Sequence, residues 1–163
     1  MNWASWKLPL IETAKVVLCA LLAGFLLWQL ADGKQSSTPF AEIQQAVLDA
    51  APLDGMQKAD NRMLKRLYGL DPAGLEGCLL YYPSTNMGAE ELLLIQLSDP
   101  SQQDSVRAAV EARLATQKNS FDGYGVEQMD LLEHCVLEVR GNYILFAVGA
   151  RASEIHAAFL DAL

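Results

Sequence analysis

The chain has 163 residues, with 12 Lys and Arg against 20 Asp and Glu, for a formal net charge of −8. That length fits one domain, and the acidity excludes a protein that binds nucleic acid through the phosphate backbone. Hydrophobic residues make up 52% and charged residues 20%, which excludes general disorder, and three cysteines with two histidines are too few for a disulfide scaffold or a Cys/His zinc module.

The apolarity is concentrated early. Val16 to Ala31 reads VVLCALLAGFLLWQLA, with no charge and only Gln29 polar. As a helix it spans about 24 Å against a hydrocarbon core of ~30 Å, with Lys15 able to snorkel at one end and Trp28 suited to the far interface. Lys7, Lys15 and the terminal amine precede the run against a single Glu12. The positive-inside bias therefore puts the N-terminus in the cytoplasm and the remainder outside. A cleaved signal peptide is the competing reading, but Gln29 occupies a position where cleavage wants a small residue. Cys19 lies mid-run behind bulky Leu18, so it is no lipid-attachment cysteine. The expected organisation is a cytoplasmic stub and single-pass membrane anchor over 1–31, a polar tether over 32–38, and an extracytoplasmic domain over 39–163.

Thr38-Pro39 predicts a helix start, with a hydroxyl cap and proline at the first helical position; Phe40, Ile43, Val47, Leu48 and Ala51 follow at helical spacing until Pro52. Asp54 and Gln57 resemble a capping box for a second helix that buries Met56, Ala59, Met63, Leu64 and Leu67. Its other face carries Lys58, Arg62, Lys65 and Arg66, either a solvated helix face or a docking face for an anionic partner. From Cys78 the period changes. Cys78 to Tyr82 and Glu91 to Leu97 read as strands, and Asp99-Pro100 opens a helix that buries Val106, Ala109, Val110 and Leu114. A short helix around Tyr124 to Leu132 comes next. Cys135 to Val139 and Tyr143 to Val148 then form a hairpin on a two-residue Gly141-Asn142 link, and a last helix begins near Ser153. The predicted fold is α+β: a four-stranded, mainly antiparallel sheet in ββα-ββα order, with helices over one face. Glu76-Gly77-Cys78-Leu79-Leu80 resembles Glu133-His134-Cys135-Val136-Leu137, so either duplication or convergence of apolar elements accounts for the repeated order.

Few residues invite chemistry. Gly69, Gly74 and Gly77 are spaced wrongly for a phosphate loop. His134 and Cys135, as strand neighbours, point to opposite faces and cannot form a nucleophile–base pair. Cys78 and Cys135 are read as buried hydrophobes or as a disulfide. His156 reads as a surface histidine, since Ala152 and Leu160 offer it no carboxylate. Glu90-Glu91 and Asp130/Glu133 are the nearest carboxylate pairs, and Tyr81, Tyr82, Tyr124 and Tyr143 could gather near one sheet end. No catalytic, cofactor-binding or metal-ligating residue is assigned, and no cofactor is expected.

Several short motifs run from residue 68 onward: Tyr68-Gly69-Leu70-Asp71, Glu90-Glu91 opening an apolar strand, and a helix with Val106, Val110, Arg113 and Gln117. Tyr124-Gly125 and Gly141-Asn142-Tyr143 complete them. Together they resemble domain-of-unknown-function family 4358, a family of bacterial extracytoplasmic proteins. The resemblance implies an N-terminal membrane helix or lipid anchor and carries no catalytic signature. It also hints at a place beside membrane-bound O-acyltransferases of cell-envelope polymers. The expectation is a membrane-tethered, non-enzymatic binding or assembly module with a protein partner in the cell envelope and no nucleic acid. The alternative is a small ligand-binding or enzymatic domain using carboxylates and tyrosines at one sheet end.

Overall fold

The structure, a computed structural model, describes residue 13, residues 15–24 and residues 36–163. The chain divides into two units, Met1–Lys34 and Gln35–Leu163. In the first, residues 15–24 are helical. Among the described residues no helix is long and apolar enough to cross a membrane. The second half of the expected span, 25–31, and tether residues 32–35 lie outside the described residues.

The second unit is a mixed α/β domain on a five-stranded antiparallel sheet. Its elements are α1 (Phe40–Ala50), β1 (Met56–Lys58), α2 (Asn61–Tyr68), β2 (Leu75–Pro83), β3 (Glu91–Leu97), α3 (Gln103–Phe121), α4 (Val126–Glu133), β4 (Val136–Arg140), β5 (Tyr143–Val148) and α5 (Ala152–Ala162). The strand order is β1-β2-β3-β5-β4. The fifth strand is β1, which sequence periodicity assigns to a helix. Asp60, rather than Asp54, caps α2, accepting from Met63 N at 2.8 Å, and Gly69 ends it in the left-handed region at φ 69°. Residues 56–58 are thereby released to pair with Tyr81–Pro83 of β2.

Thr38 does not cap α1. Pro39 takes that position without a side-chain cap. The Thr38 and Ser36 hydroxyls instead donate to Leu163 O, each at 3.2 Å, and Ser36 N donates to Asn142 Oδ1 at 3.1 Å. Pro52 stops α1 as expected, with Ala51 pushed to extended backbone. The Gly141-Asn142 link also forms as read: Arg140 pairs with Tyr143, and Gly141 adopts φ 56°.

Helices cover both faces of the sheet, not one. Leu93 and Ile95 of β3 and Ile144 and Phe146 of β5 pack with Leu64, Val106, Val110 and Leu132 from α2, α3 and α4. The alternate residues Leu92, Leu94 and Leu145 pack with Ile43 and Val47 of α1 and Ile155 and Phe159 of α5. The reason is legible in the strands, because ELLLIQL and YILFAV are near-continuous apolar runs and bury every position except Gln96. The ββα-ββα order holds, yet α3 and α5 lie on opposite faces, whereas the two-fold rotation that would relate the hairpins preserves the face.

The topology also separates the two ends of the sheet. Gln96 of β3 lies opposite Tyr143 beside the β4–β5 turn, and Glu91 lies opposite Val148 at the other end. Ser36, bonded to Asn142, therefore marks where the chain joins the domain, about 20 Å along β3 from the β2–β3 loop.

Cys78 and Cys135 are free. Cys78 lies in β2 and Cys135 just before β4, with β3 and β5 between them. Three strand spacings are about 14 Å, whereas a disulfide needs Cα atoms ~4.4–6.8 Å apart. Burial pushes the Cys78 thiol up to about 11 and raises Cys135 as well. Under denaturing, non-reducing conditions all three cysteines should react with a maleimide. In the native protein near pH ~8, Cys78 should alkylate far more slowly than an unperturbed thiol. A single reactive thiol after denaturation would contradict the strand order.

Candidate functional site

The most unusual side chain in the domain is Glu91, a carboxylate only 1% exposed at the first position of β3. An unpaired charge there would be prohibitively costly, and its partners come from two helices on the same face. Arg113 and Gln117 stand four residues apart on α3, in the stripe that also buries Val106 and Val110. Arg113 Nη2 donates to Glu91 Oε2 at 2.6 Å, and Nε lies 3.2 Å from both carboxylate oxygens. Gln117 Nε2 donates to Oε2 at 2.8 Å. Tyr68, the last residue of α2, donates its hydroxyl to Oε1.

The electrostatics follow from that packing. Burial pushes the Tyr68 phenol well above the ordinary tyrosine range, and the charge of Glu91 and the bond donated to it push the same way. For Arg113, burial favours the neutral form, but the hydrogen bonds and charge of Glu91 outweigh it, and the guanidinium holds its proton more tightly than usual. Gln117 Oε1 is buried and accepts no hydrogen bond among the described residues.

Arg113 and Gln117 of this network line a cleft of about 590 Å³, a volume in the range of small-molecule sites. Met63, Arg66 and Leu67 of α2 line one side, and Arg113, Gln117, Ser120 and Phe121 of α3 the other. Gln57 of β1 and residues 82–86 and 88, at the end of β2 and in the β2–β3 loop, close the end. Arg113 keeps 16% of its side chain exposed, whereas Glu91 beneath it is at 0%.

Residues 49–149 match the profile of the family described as Domain of unknown function (DUF4358). The chain belongs to the DUF4358 family. No curated protein and no solved structure matches it. The matched stretch of this DUF4358 domain contains all four network residues, while α5 lies beyond it.

Several residues singled out in the sequence fall elsewhere. Tyr143 is fully buried on the α1/α5 face, stacked on Phe40 with ring centroids 6.4 Å apart and donating to Thr38 O at 2.9 Å. Tyr81 packs on that same face, Tyr82 lines the cleft, and Tyr124 is 65% exposed at the α3–α4 turn. The expected tyrosine cluster therefore does not assemble, because alternation along β2 and the length of β5 scatter its members. Glu90 is exposed and accepts from Ala89 N at 3.1 Å, so the Glu90-Glu91 pair is split between solvent and core. Asp130 and Glu133 line a separate exposed hollow beside Tyr124. Among the described residues no three His, Cys, Asp or Glu side chains converge as metal ligands.

His134 ends α4 rather than opening a strand, its Nδ1 lying 2.8 Å from Asp130 O. His156 has a carboxylate neighbour after all: Glu138 Oε2 of β4 lies 3.2 Å from Nε2, an ion-pair distance without aligned hydrogen-bond geometry. Helical spacing could not reveal it, because the partner comes from another element. Of the expected basic face, Lys58 lies on β1, Arg62 pairs with Asp60 at 3.4 Å, Lys65 is exposed on α2 away from the cleft lining, and Arg66 lines the cleft. The Tyr68–Glu91–Arg113–Gln117 network has a faint sequence signal, since Arg113 and Gln117 sit in an apolar helical stripe and Glu91 opens an apolar strand.

Glu91→Ala should destabilise the domain by about 3–5 kcal/mol in urea unfolding, because Arg113 is left buried without its counter-charge. Tyr68→Phe should cost about 1.5–3 kcal/mol for the lost bond to a charged acceptor. The folded-state pKa of Tyr68 is raised, so its contribution is complete at neutral pH. It fades as pH rises beyond ~10, where unfolded tyrosines ionise. Unfolding midpoints from pH ~8 to ~11.5 should fall more steeply for wild type than for Tyr68→Phe.

Proposed function

We propose that this DUF4358 protein is a membrane-tethered, extracytoplasmic binding module. Val16 to Ala31 anchors it with the N-terminus in the cytoplasm, and an envelope partner is held in the cleft between α2 and α3. The sequence supports the anchor through an uncharged run preceded by Lys7 and Lys15. The observation that carries the binding role is the polarity of the domain. The chain joins at Ser36 beside Asn142, while the cleft opens at the opposite end of β3. A tethered domain of this kind offers its recognition surface at the end remote from its attachment.

A binding role rather than catalysis fits the state of Glu91, the carboxylate buried behind the cleft wall. Glu91 is shielded by Arg113, and both its oxygens are committed to Arg113, with Tyr68 bound at Oε1 and Gln117 at Oε2. Such a group positions an arginine and is poorly placed to move protons for a substrate. As accessory to a cell-envelope modification system, the module would bring its partner or polymer to a membrane-bound enzyme.

Alkaline phosphatase fused after Leu163 should be active in cells, and protease added to intact cells should remove the domain while a cytoplasmic control survives. A photo-crosslinking residue at Asn86 on the cleft rim should capture an envelope component that the same residue at exposed Asp104 does not. An inactive phosphatase fusion would overturn the tethered topology, and equal labelling from Asn86 and Asp104 would overturn the cleft as the binding surface.

A further inference from the structure

Taking the cleft as the binding surface proposed above, we infer that its ligand carries an oxyanion, a carboxylate or phosphate beside hydroxyl groups, received by Arg66 and Arg113.

Charge distribution is the first support. The chain has 20 acidic residues against 12 basic ones, yet no Asp or Glu lines the cleft, while two arginines do. The arginines elsewhere are already matched: Arg62 with Asp60, Arg107 with Glu111, Arg140 with Glu138 and Arg151 with Glu154. Among the described residues Arg66 has no carboxylate partner. In a domain this acidic, the arginine left without a counter-ion is the one that faces the cleft.

Arg113 is the second support. A guanidinium has five N–H donors. Glu91 engages the one on Nε and one on Nη2, which fixes the plane of the group and leaves three donors on the Nη atoms. An arginine locked by a buried carboxylate loses little rotamer freedom when it binds, and the fork geometry suits carboxylate and phosphate oxygens.

The remaining lining specifies the rest of the ligand. Ser84, Thr85, Asn86 and Ser120 offer hydroxyl and amide groups, and Gln117 has a buried carbonyl oxygen without a donor. Such a wall is satisfied by a molecule that both donates and accepts, as hydroxyls next to an acid group do. Met63, Leu67 and Phe121 supply apolar contact for a carbon skeleton.

The test is amide chemical-shift mapping on the full chain in detergent micelles, titrated with inorganic phosphate, glucuronate and glucose. Both anions, or one of them, should shift resonances of Arg66, Arg113 and the β2–β3 loop saturably, and glucose should not; the stronger anion identifies the acid group. Arg66→Gln should weaken that binding roughly tenfold, the scale of one lost charge-assisted hydrogen bond. Arg62→Gln, on the same helix but outside the cleft, should leave it unchanged. Glucose binding as well as glucuronate, silence from both anions, or anion shifts centred on Arg62 and Lys65 would each overturn the oxyanion assignment. The Asn86 crosslink decides separately whether the cleft binds a partner at all.

Discussion

A single carboxylate buried at the mouth of a central strand organises this domain. Glu91 begins β3 where the strand emerges from the β2–β3 loop, and it can be dehydrated there only because Arg113, Gln117 and Tyr68 surround it. The bonds run from β3 to the end of α2 and to the middle of α3, so they set the positions of both helices against the sheet. Buried ion pairs seldom out-compete well-packed apolar side chains in net stability. What this one supplies is placement: the same contacts that neutralise Glu91 hold the Arg113 guanidinium at the wall of the cleft. The residue that costs most to bury thus shapes the wall of the cleft.

Around that pair the sheet is built as a middle layer. β3 and β5 are buried on both sides, so their odd and even residues feed two separate cores. The α1/α5 core, with Phe40 stacked on Tyr143, closes the end of the domain where Ser36 and Thr38 bind Leu163 and Asn142. The α2/α3/α4 core carries the polar network at the other end. The Ser36–Asn142 junction and the cleft therefore lie at opposite ends, with the length of β3 between them.

The antiparallel α+β character, the Gly141-Asn142 hairpin, the β3 and β5 spans and the stop at Pro52 were all legible in the residues. Each rests on a local rule: alternation or continuity of apolar runs, a turn that needs positive φ, a ring that ends a helix. The errors also have local causes. Met56 and Ala59 fit a helical stripe that includes Leu64, but Asp60 offers the better cap, and residues 56–58 pair with a strand more than 20 positions away. The continuous runs ELLLIQL and YILFAV carried the sign of two-sided burial, which a one-face layout overlooked. Of the two readings left open for Cys78 and Cys135, the disulfide rested on their equivalent places in a repeated order, and β3 and β5 intervene between them.

Taken alone, the sequence determined the composition-level facts and the local elements: an acidic chain with an uncharged opening run, membership of a family, and most helices and strands. These depend on neighbours within a few positions, where spacing, capping and turn chemistry act. Only the tertiary structure decided that Tyr68, Glu91, Arg113 and Gln117 meet, that Tyr81, Tyr82, Tyr124 and Tyr143 do not, and that Arg66 faces a cleft without acids. Those outcomes turn on strand order and on which face each helix covers. Both are settled by burial of the whole chain at once, so no short stretch of residues contains them.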